Sequence, residues 1–200
     1  SAYYYSNVGY KVLGFVLENI TGKLLKDVFE PRILNPLGMT STHGSILQDS
    51  WREMATGYRA FYDDRPPHHS HPLRPVTWHE YSGGDGPIAS TPRDMANYVR
   101  MILNRGKGPN SQIVSEKAFG LMTQRYAVES TWDSSEAYYG YGLRVSDVDC
   151  HVPVKTSDLE DCFSPKDSNT QSPGYIGHSG GAFGYSSNMF ADMNQGIGVV

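Results

Sequence analysis

The sequence has little cysteine, no excess of positive charge and no long apolar run, and each shortage excludes a class of protein. Two cysteines in 200 residues are too few for a disulfide scaffold and lack the paired spacing of a zinc site. Seventeen Lys and Arg against 21 Asp and Glu give a net charge of −4, so the composition does not favour nucleic-acid binding. The longest apolar stretch, residues 12–17, is far shorter than the roughly 20 residues of a membrane-spanning helix.

Two local patterns leave the cellular compartment open. Cys150 and Cys162 flank one polar segment, which is compatible with a single disulfide in an oxidising compartment or with two inert thiols. Asn19-Ile20-Thr21 fits a glycosylation acceptor, although the motif is common by chance and lies near a predicted helix end. Composition gives no indication of the oligomeric state.

Periodic apolar residues predict helices in the first part of the chain. A spacing of three and four between residues 8 and 20 predicts a core-facing helix that ends at Thr21-Gly22. A second run, residues 24–34, contains Pro31 and should kink or break near Glu30. Thr91 and Ser115 are predicted to cap two further helices, and the first of these carries an apolar stripe. The stripe consists of Met95, Tyr98, Val99, Ile102 and Leu103.

Strand signals follow in the second part. Residues 139–145 alternate in polarity, and residues 185–200 predict a hairpin that turns at Asn194-Gln195-Gly196. Residues 41–86 lack a sustained period and predict a long loop, and residues 147–173 predict a polar surface insertion. Helices followed by strands indicate an α+β protein.

The pentapeptide Gly177-His178-Ser179-Gly180-Gly181 matches the Gly-x-Ser-x-Gly turn that exposes a nucleophilic serine in α/β-hydrolases. That interpretation requires a helix directly after the turn and a later histidine, and no histidine follows His178. A strand entry is favoured, in which His178 and Ser179 hold a substrate carboxylate and the Gly181 amide donates to an oxyanion. A glycine-rich strand entry without any role stays open.

Two further groups of residues could carry chemistry. Tyr5-Ser6-Asn7 precedes the first helix, and a loop tyrosine can act as a general base if nearby cations lower its pKa from about 10. A lone tyrosine is more often a packing element. The segment His68-His69-Ser70-His71, with Asp63 and Asp64, offers metal-ligand chemistry, but without a second ligand cluster a Pro-rich solvated loop is favoured. No metal or other cofactor is predicted.

Several segments, in order, resemble the serine β-lactamase and penicillin-binding-protein superfamily, above all class C β-lactamases, D-alanyl-D-alanine carboxypeptidases and related esterases. Tyr5-Ser6-Asn7 resembles its Tyr-x-Asn motif, and His178-Ser179-Gly180 its Lys-Thr-Gly triplet in the His-x-Gly form. Other similar segments are Pro36-Leu37-Gly38-Met39-Thr40, Ala55-Thr56-Gly57-Tyr58, residues 86–95 and Tyr139-Gly140-Tyr141-Gly142-Leu143.

The resemblance implies a β-lactamase/transpeptidase-like fold, an α/β sandwich of the α+β class. We expect residues 1–200 to be a fragment of one such domain, with N-terminal and C-terminal elements missing. Residues 1–137 should form mainly the helical subdomain, and residues 138–200 strands of the antiparallel sheet with the insertion at 147–173.

The resemblance also implies acyl-enzyme chemistry on a serine in a Ser-x-x-Lys motif. None of the seven lysines has a serine three positions before it, so the 200 residues lack this motif and are expected to be inactive alone. The expected substrate is a small-molecule ester, a D-Ala-D-Ala-like peptide or a β-lactam. A non-catalytic pseudoenzyme or scaffold of the same fold is the alternative.

By the same resemblance, Tyr5 is expected to be the general base or proton relay, and Asn7 to orient the substrate amide or carbonyl. His178, Ser179 and Gly180 form the substrate-recognition triplet, and the Gly181 amide supplies one oxyanion donor. Histidine in place of lysine weakens the fixed positive charge near neutral pH, which favours an ester or peptide over a β-lactam carboxylate.

Overall fold

The computed structural model describes residues 3–62, 64–66, 68–77, 79–86, 88–129, 137–146, 174–182 and 184–200. Both cysteines, the predicted insertion at 147–173, Asp63 and Pro87 lie outside these residues. The described helices are α1 (Asn7–Thr21), α2 (Leu25–Phe29), a π-helical turn (Glu30–Leu34), α3 (Asn35–Leu37), a 3₁₀ turn (Trp51–Glu53), α4 (Pro92–Leu103) and α5 (Glu116–Met122).

The helix ends lie where local capping chemistry predicts them. The hydroxyls of Thr91 and Ser115 accept from the amides of Asp94 and Ala118, which confirms both predicted caps. The predicted break near Glu30 is confirmed as a change from α-helix to a π-helical turn. Pro31 has no amide hydrogen to continue the α-helical pattern.

Helix α1 begins and ends as predicted, but the prediction that it faces the core is wrong. It ends at Gly22, whose φ of 64° is in the left-handed region that glycine adopts without strain. Gly14 is the buried residue of α1, and seven large apolar side chains of the helix are exposed. They are Val8, Val12, Leu13, Phe15, Val16, Leu17 and Ile20. Periodicity shows that a helix has an apolar surface and not what covers it.

The strands form two antiparallel sheets. Strands β1 (Tyr58–Ala60) and β2 (Leu73–Pro75) form a small hairpin within the region predicted as loop, so that prediction is wrong at these two strands. Among the described residues, the larger sheet has six strands in sequence order, and each pairs with the next. They are β3 (Ala127–Glu129), β4 (Ala137–Tyr139), β5 (Arg144–Ser146), β6 (Tyr175–Ala182), β7 (Tyr185–Asp192) and β8 (Ile197–Val199).

Two strand predictions have different outcomes. The hairpin at residues 185–200 is confirmed as β7 and β8. The alternating stretch at 139–145 contains two strand ends rather than one strand, because the chain turns between Tyr139 and Arg144. Gly142, with a φ of 74°, provides the left-handed conformation that this turn requires.

The core lies between α4 and the larger sheet. Val99 and Ile102 of α4 are buried in one cluster with Ile176 of β6 and Ala191 of β7. Gly198 of β8 leaves room for Val99, because a Cβ at Gly198 would overlap the Val99 side chain. Burying side chains of this size stabilises the fold by roughly 1.5–3 kcal/mol each, which fixes the sheet that carries the predicted site.

Candidate functional site

The tyrosine of the N-terminal segment and the histidine of β6 lie together, although 173 positions separate them in the sequence. The ring centroids of Tyr5 and His178 are 6.0 Å apart, and Tyr5 meets Tyr139 edge-on at the same distance. Ser6 caps α1 by accepting from the Gly9 amide, which fixes the turn that presents Tyr5. Asn7 is the exposed first residue of α1.

Both ring nitrogens of His178 are hydrogen-bonded. Nδ1 lies 2.6 Å from the Ser179 carbonyl oxygen, and Nε2 lies 2.9 Å from the Tyr139 hydroxyl. A carbonyl can only accept, so Nδ1 carries the hydrogen and donates. In the neutral ring Nε2 is then an acceptor, and the Tyr139 hydroxyl donates to it.

The surroundings of His178 favour its neutral form. Burial lowers the pKa of His178 below its usual value, and the positive charge of Arg144 lowers it further, against the opposing effects of the Ser179 carbonyl and Glu129. Burial and the neighbouring tyrosines Tyr10, Tyr5 and Tyr3 raise the pKa of Tyr139, so this hydroxyl keeps its hydrogen near neutral pH.

A hollow of about 260 Å³ opens beside these groups. Tyr3, Tyr5, Tyr10 and Tyr139 line it, together with the start of α1. Burial, followed by the charge of Glu129, raises the pKa of Tyr3 to about 12. Aromatic rings therefore line the hollow, and the hydroxyls of Tyr3, Tyr10 and Tyr139, whose pKa values are raised, stay neutral at physiological pH.

The Ser179 hydroxyl contacts Arg144, which is itself paired with Glu129. Nη1 of Arg144 donates to the Ser179 hydroxyl oxygen at 2.9 Å. Nε and Nη2 of Arg144 donate to the two carboxylate oxygens of Glu129 at 2.7 and 3.0 Å. Glu129 raises the pKa of Arg144, which stays charged. The pair binds Ser179 without adding net charge to the site.

The register of β6 leaves part of its backbone open. The Met193 amide donates to the Gly174 carbonyl, so every second residue of β6, counted from Gly174, forms backbone hydrogen bonds with β7. The backbone N–H and C=O groups of Ser179 and Gly181 therefore point to the opposite edge of β6, which faces β5. Strand β5 pairs with β6 only as far as Gly177 on that edge. The Gly181 N–H therefore has no ladder partner within the described strands. The Ser179 carbonyl on the same edge accepts from His178.

Ser179 lies in the strand and not at a strand-to-helix turn. Strand β6 runs from Tyr175 through the whole pentapeptide to Ala182, and the next described element is β7. A nucleophile elbow requires a sharp turn into a helix, so this context does not support Ser179 as an elbow nucleophile. The structure also differs from the predicted strand entry, because β6 begins two residues before Gly177.

The sequence did not single out Tyr10, Glu129 or Arg144, and it noted Tyr139 only as part of a motif. Their contacts join α1 to the sheet or one strand to another, and neither periodicity nor residue type predicts such pairing. The Tyr139–Arg144 and Arg144–Gly177 register pairs follow only once the sheet order is known.

The histidine-rich loop forms contacts within itself. The rings of His68 and His69 lie 4.1 Å apart, and Nδ1 of His68 lies 2.8 Å from the Ser70 hydroxyl. Asp64 binds Arg65. Within the described ranges, no group of three ligand residues is arranged to hold a metal ion. Over the same ranges, every helix is too short or too polar to cross a bilayer.

Comparisons with known proteins identify the fold. The profile of the family described as Beta-lactamase matches residues 1–200. The structure of the octameric penicillin-binding protein homologue from Pyrococcus abyssi superposes with a TM-score of 0.73 at 23% identity, covering 100% of this chain and 38% of that chain. This likeness confirms the predicted α+β, β-lactamase/transpeptidase-like fold.

Curated relatives carry hydrolase and penicillin-binding names. The unguisins hydrolase ungD' of Aspergillus campestris is 35% identical over 107 residues, which cover 52% of this chain and 19% of that protein. Penicillin-binding protein 4 of Amycolatopsis lactamdurans is 27% identical over 150 residues, covering 72% of this chain and 38% of that protein. The chain thus spans well under half the length of these relatives.

Proposed function

Because the chain belongs to the Beta-lactamase family, we propose that it supplies the proton-transfer and substrate-binding side of an acyl-enzyme serine hydrolase site. The observation that carries the proposal is the meeting of Tyr5 with His178 beside the open edge of β6. Two segments at opposite ends of the chain contribute a phenol, an imidazole, a serine hydroxyl and a backbone amide that has no ladder partner in the described strands. Acyl transfer uses these groups for proton transfer and for stabilising an oxyanion.

In the proposed reaction, each group has one role. Tyr5 relays the proton that leaves the attacking hydroxyl, and Asn7 orients the substrate amide or carbonyl. Ser179 donates to the substrate, and the open Gly181 N–H donates to the oxyanion. Gly180 lies between these two donors, and a Cβ at this position would lie 2.9 Å from the Ser187 hydroxyl oxygen of β7. His178 holds the Ser179 carbonyl on the open edge of β6.

The electrostatics of the site favour a neutral ester or peptide over an anionic β-lactam. Glu129 neutralises Arg144 through two hydrogen bonds, and His178 has a lowered pKa. The recognition strand therefore presents little net positive charge to a substrate carboxylate. The tyrosine-lined hollow offers apolar surface for the acyl or leaving group.

We propose further that residues 1–200 are part of a larger catalytic domain. The acylated serine, in a Ser-x-x-Lys motif, would lie in family sequence that these residues do not include. The exposed apolar side chains of α1 support this proposal, because seven large apolar residues on one 15-residue helix form a surface that folded proteins normally cover.

Tyr5→Phe tests the proposed proton relay in the natural protein that contains this chain. The change keeps the ring that packs against Tyr139 and His178 and removes only the hydroxyl. We expect hydrolysis of p-nitrophenyl acetate to fall about 10²–10⁴-fold, the usual contribution of a positioned acid–base group. The measurement is the steady-state rate as a function of substrate concentration.

The matched control is Tyr62→Phe, which removes a hydroxyl from a tyrosine in the loop before β2 that packs on Phe61 and His71. This variant should keep the wild-type rate. Wild-type turnover in Tyr5→Phe would contradict the relay. Absence of any acyl turnover in the wild-type protein would instead support the pseudoenzyme alternative.

A further inference from the structure

Arg144 donates three hydrogen bonds in the site, one from each of its side-chain nitrogens. Nε and Nη2 of Arg144 bind the two oxygens of Glu129, and Nη1 binds the Ser179 hydroxyl oxygen at 2.9 Å. Glu129 is on β3, Arg144 on β5 and Ser179 on β6, so the three residues span four neighbouring strands. The bidentate contact with the Glu129 carboxylate fixes the plane of the guanidinium and therefore the direction in which Nη1 donates.

This arrangement sets the direction of the hydrogen bond at Ser179. A guanidinium has donors and no acceptor, so the Ser179 oxygen must accept from Arg144. The Ser179 hydrogen cannot be directed at Arg144. It is left to donate elsewhere.

The Glu129–Arg144 pair is partly buried, and the sheet fixes its position. The Glu129 side chain is 15% exposed and that of Arg144 is 38% exposed. Arg144 is paired in register with Gly177, and Ser179 lies two residues further along β6 on the same face of the strand. The contact is therefore fixed by the sheet rather than by a mobile surface loop.

We propose that Arg144, held by Glu129, is a positioning residue that makes the Ser179 hydroxyl a hydrogen-bond donor towards the substrate. Arg144 acts through Ser179 and does not bind the substrate itself. The specificity that follows is for a substrate with an acceptor, such as the carbonyl oxygen of an ester or amide. The inference rests on the proposed function for the identity of that substrate.

A double-mutant cycle tests whether Arg144 acts through Ser179. We expect Arg144→Gln and Ser179→Ala each to lower kcat/KM for p-nitrophenyl acetate about 10- to 100-fold, as loss of a charge-assisted hydrogen bond does. The double variant should then be no slower than the slower single variant. Multiplying effects would show that Arg144 acts independently, which would overturn the proposal.

Conservative variants separate positioning from charge. Arg144→Lys keeps the positive charge, but an ammonium group cannot form a bidentate contact with Glu129 and also reach Ser179. Its kcat/KM should therefore lie between those of the wild type and Arg144→Gln. Arg100→Gln removes an exposed arginine of α4 that binds Asn97, and it should leave the rate unchanged. A wild-type rate in Arg144→Lys would show that only charge matters and would contradict the positioning role.

A spectroscopic readout decides the inference without hydrolysis. In ¹⁵N-arginine-labelled protein, Ser179→Ala should shift the Arg144 Nη1 signal and leave its Nε signal in place, because Glu129 still holds Nε. Glu129→Gln should shift both signals. An Nη1 signal that is unchanged in Ser179→Ala would overturn the positioning contact. If the wild-type protein lacks acyl turnover, the proposed function fails, and this measurement still tests the contact.

Discussion

Tyr139 is the residue on which the geometry of His178 depends. Its hydroxyl donates to Nε2, while Nδ1 donates to the Ser179 carbonyl, so the two bonds hold the imidazole in one orientation and one tautomer. Tyr139 is 7% exposed, so its hydroxyl donates to Nε2 from a buried position.

Tyr139→Phe should destabilise the protein by about 1–3 kcal/mol, because it leaves a partly buried ring nitrogen without its donor while keeping the aromatic packing. Urea unfolding monitored by circular dichroism measures the change.

Tyr141→Phe is the matched control. This tyrosine is 58% exposed and stacks on Tyr126, so removing its hydroxyl should change the free energy of unfolding by less than about 0.5 kcal/mol. Equal losses in the Tyr139 and Tyr141 variants would contradict the role given to the Tyr139–His178 bond.

Among single residues, the sequence predicted the site groups that belong to short motifs and missed those whose role depends on contacts between strands. Tyr5 and the His178 triplet stand in short motifs, and the structure brings these two segments together. Arg144 and Glu129 are 15 positions apart and meet across β4. Such contacts depend on strand order and register, which local pattern does not determine.

At the element scale, α1 is anchored to the loop at residues 83–85 by close backbone contact. A Cβ at Gly14 would lie 2.9 Å from the Gly84 amide nitrogen, and one at Gly84 would overlap the Tyr10 carbonyl oxygen. Lys11 adds an ion pair to the buried Asp85 at 3.5 Å, and Tyr81 donates to the same carboxylate. This contact orients the helix that follows Tyr5 and is capped by Ser6.

Gly84→Ala should displace α1 and weaken the site. The added methyl group cannot fit without moving the Tyr10 backbone, so we expect a loss of about 1–3 kcal/mol in stability and a lower rate of ester hydrolysis. Thermal unfolding and steady-state kinetics measure the two effects.

Gly120→Ala provides the comparison within a helix. A Cβ at Gly120 has open space around it in α5, and alanine should stabilise that helix by up to about 1 kcal/mol. A Gly84→Ala protein as stable and as active as Gly120→Ala would contradict the anchoring of α1.

The helix boundaries were predictable because their causes are local. Thr91 and Ser115 bind amides three residues ahead, and Gly22 ends α1. The partner of each apolar face was not predictable. Helix α4 buries its apolar stripe against β7 and β8, whereas α1, which also has apolar residues at helical spacing, leaves its apolar side chains exposed.

Across the whole molecule, large apolar side chains are exposed on both a helix and the sheet. Beside those of α1, Phe190 of β7 and Ile197 and Val199 of β8 are exposed on the sheet. The chain also covers only 38% of the superposed P. abyssi chain. The exposed apolar side chains support the proposal that further sequence of the domain packs against α1 and the sheet.

In the proposed function, this chain binds the substrate and relays protons while another segment supplies the nucleophile. Its most direct test is to map the acylated residue in the natural protein by peptide mass spectrometry after reaction with a fluorophosphonate. We expect one adduct on a serine outside residues 1–200, slower labelling in Tyr5→Phe, and no adduct on the isolated 200-residue chain. An adduct on Ser179 would contradict the proposed function, because this serine would then attack the substrate rather than bind it.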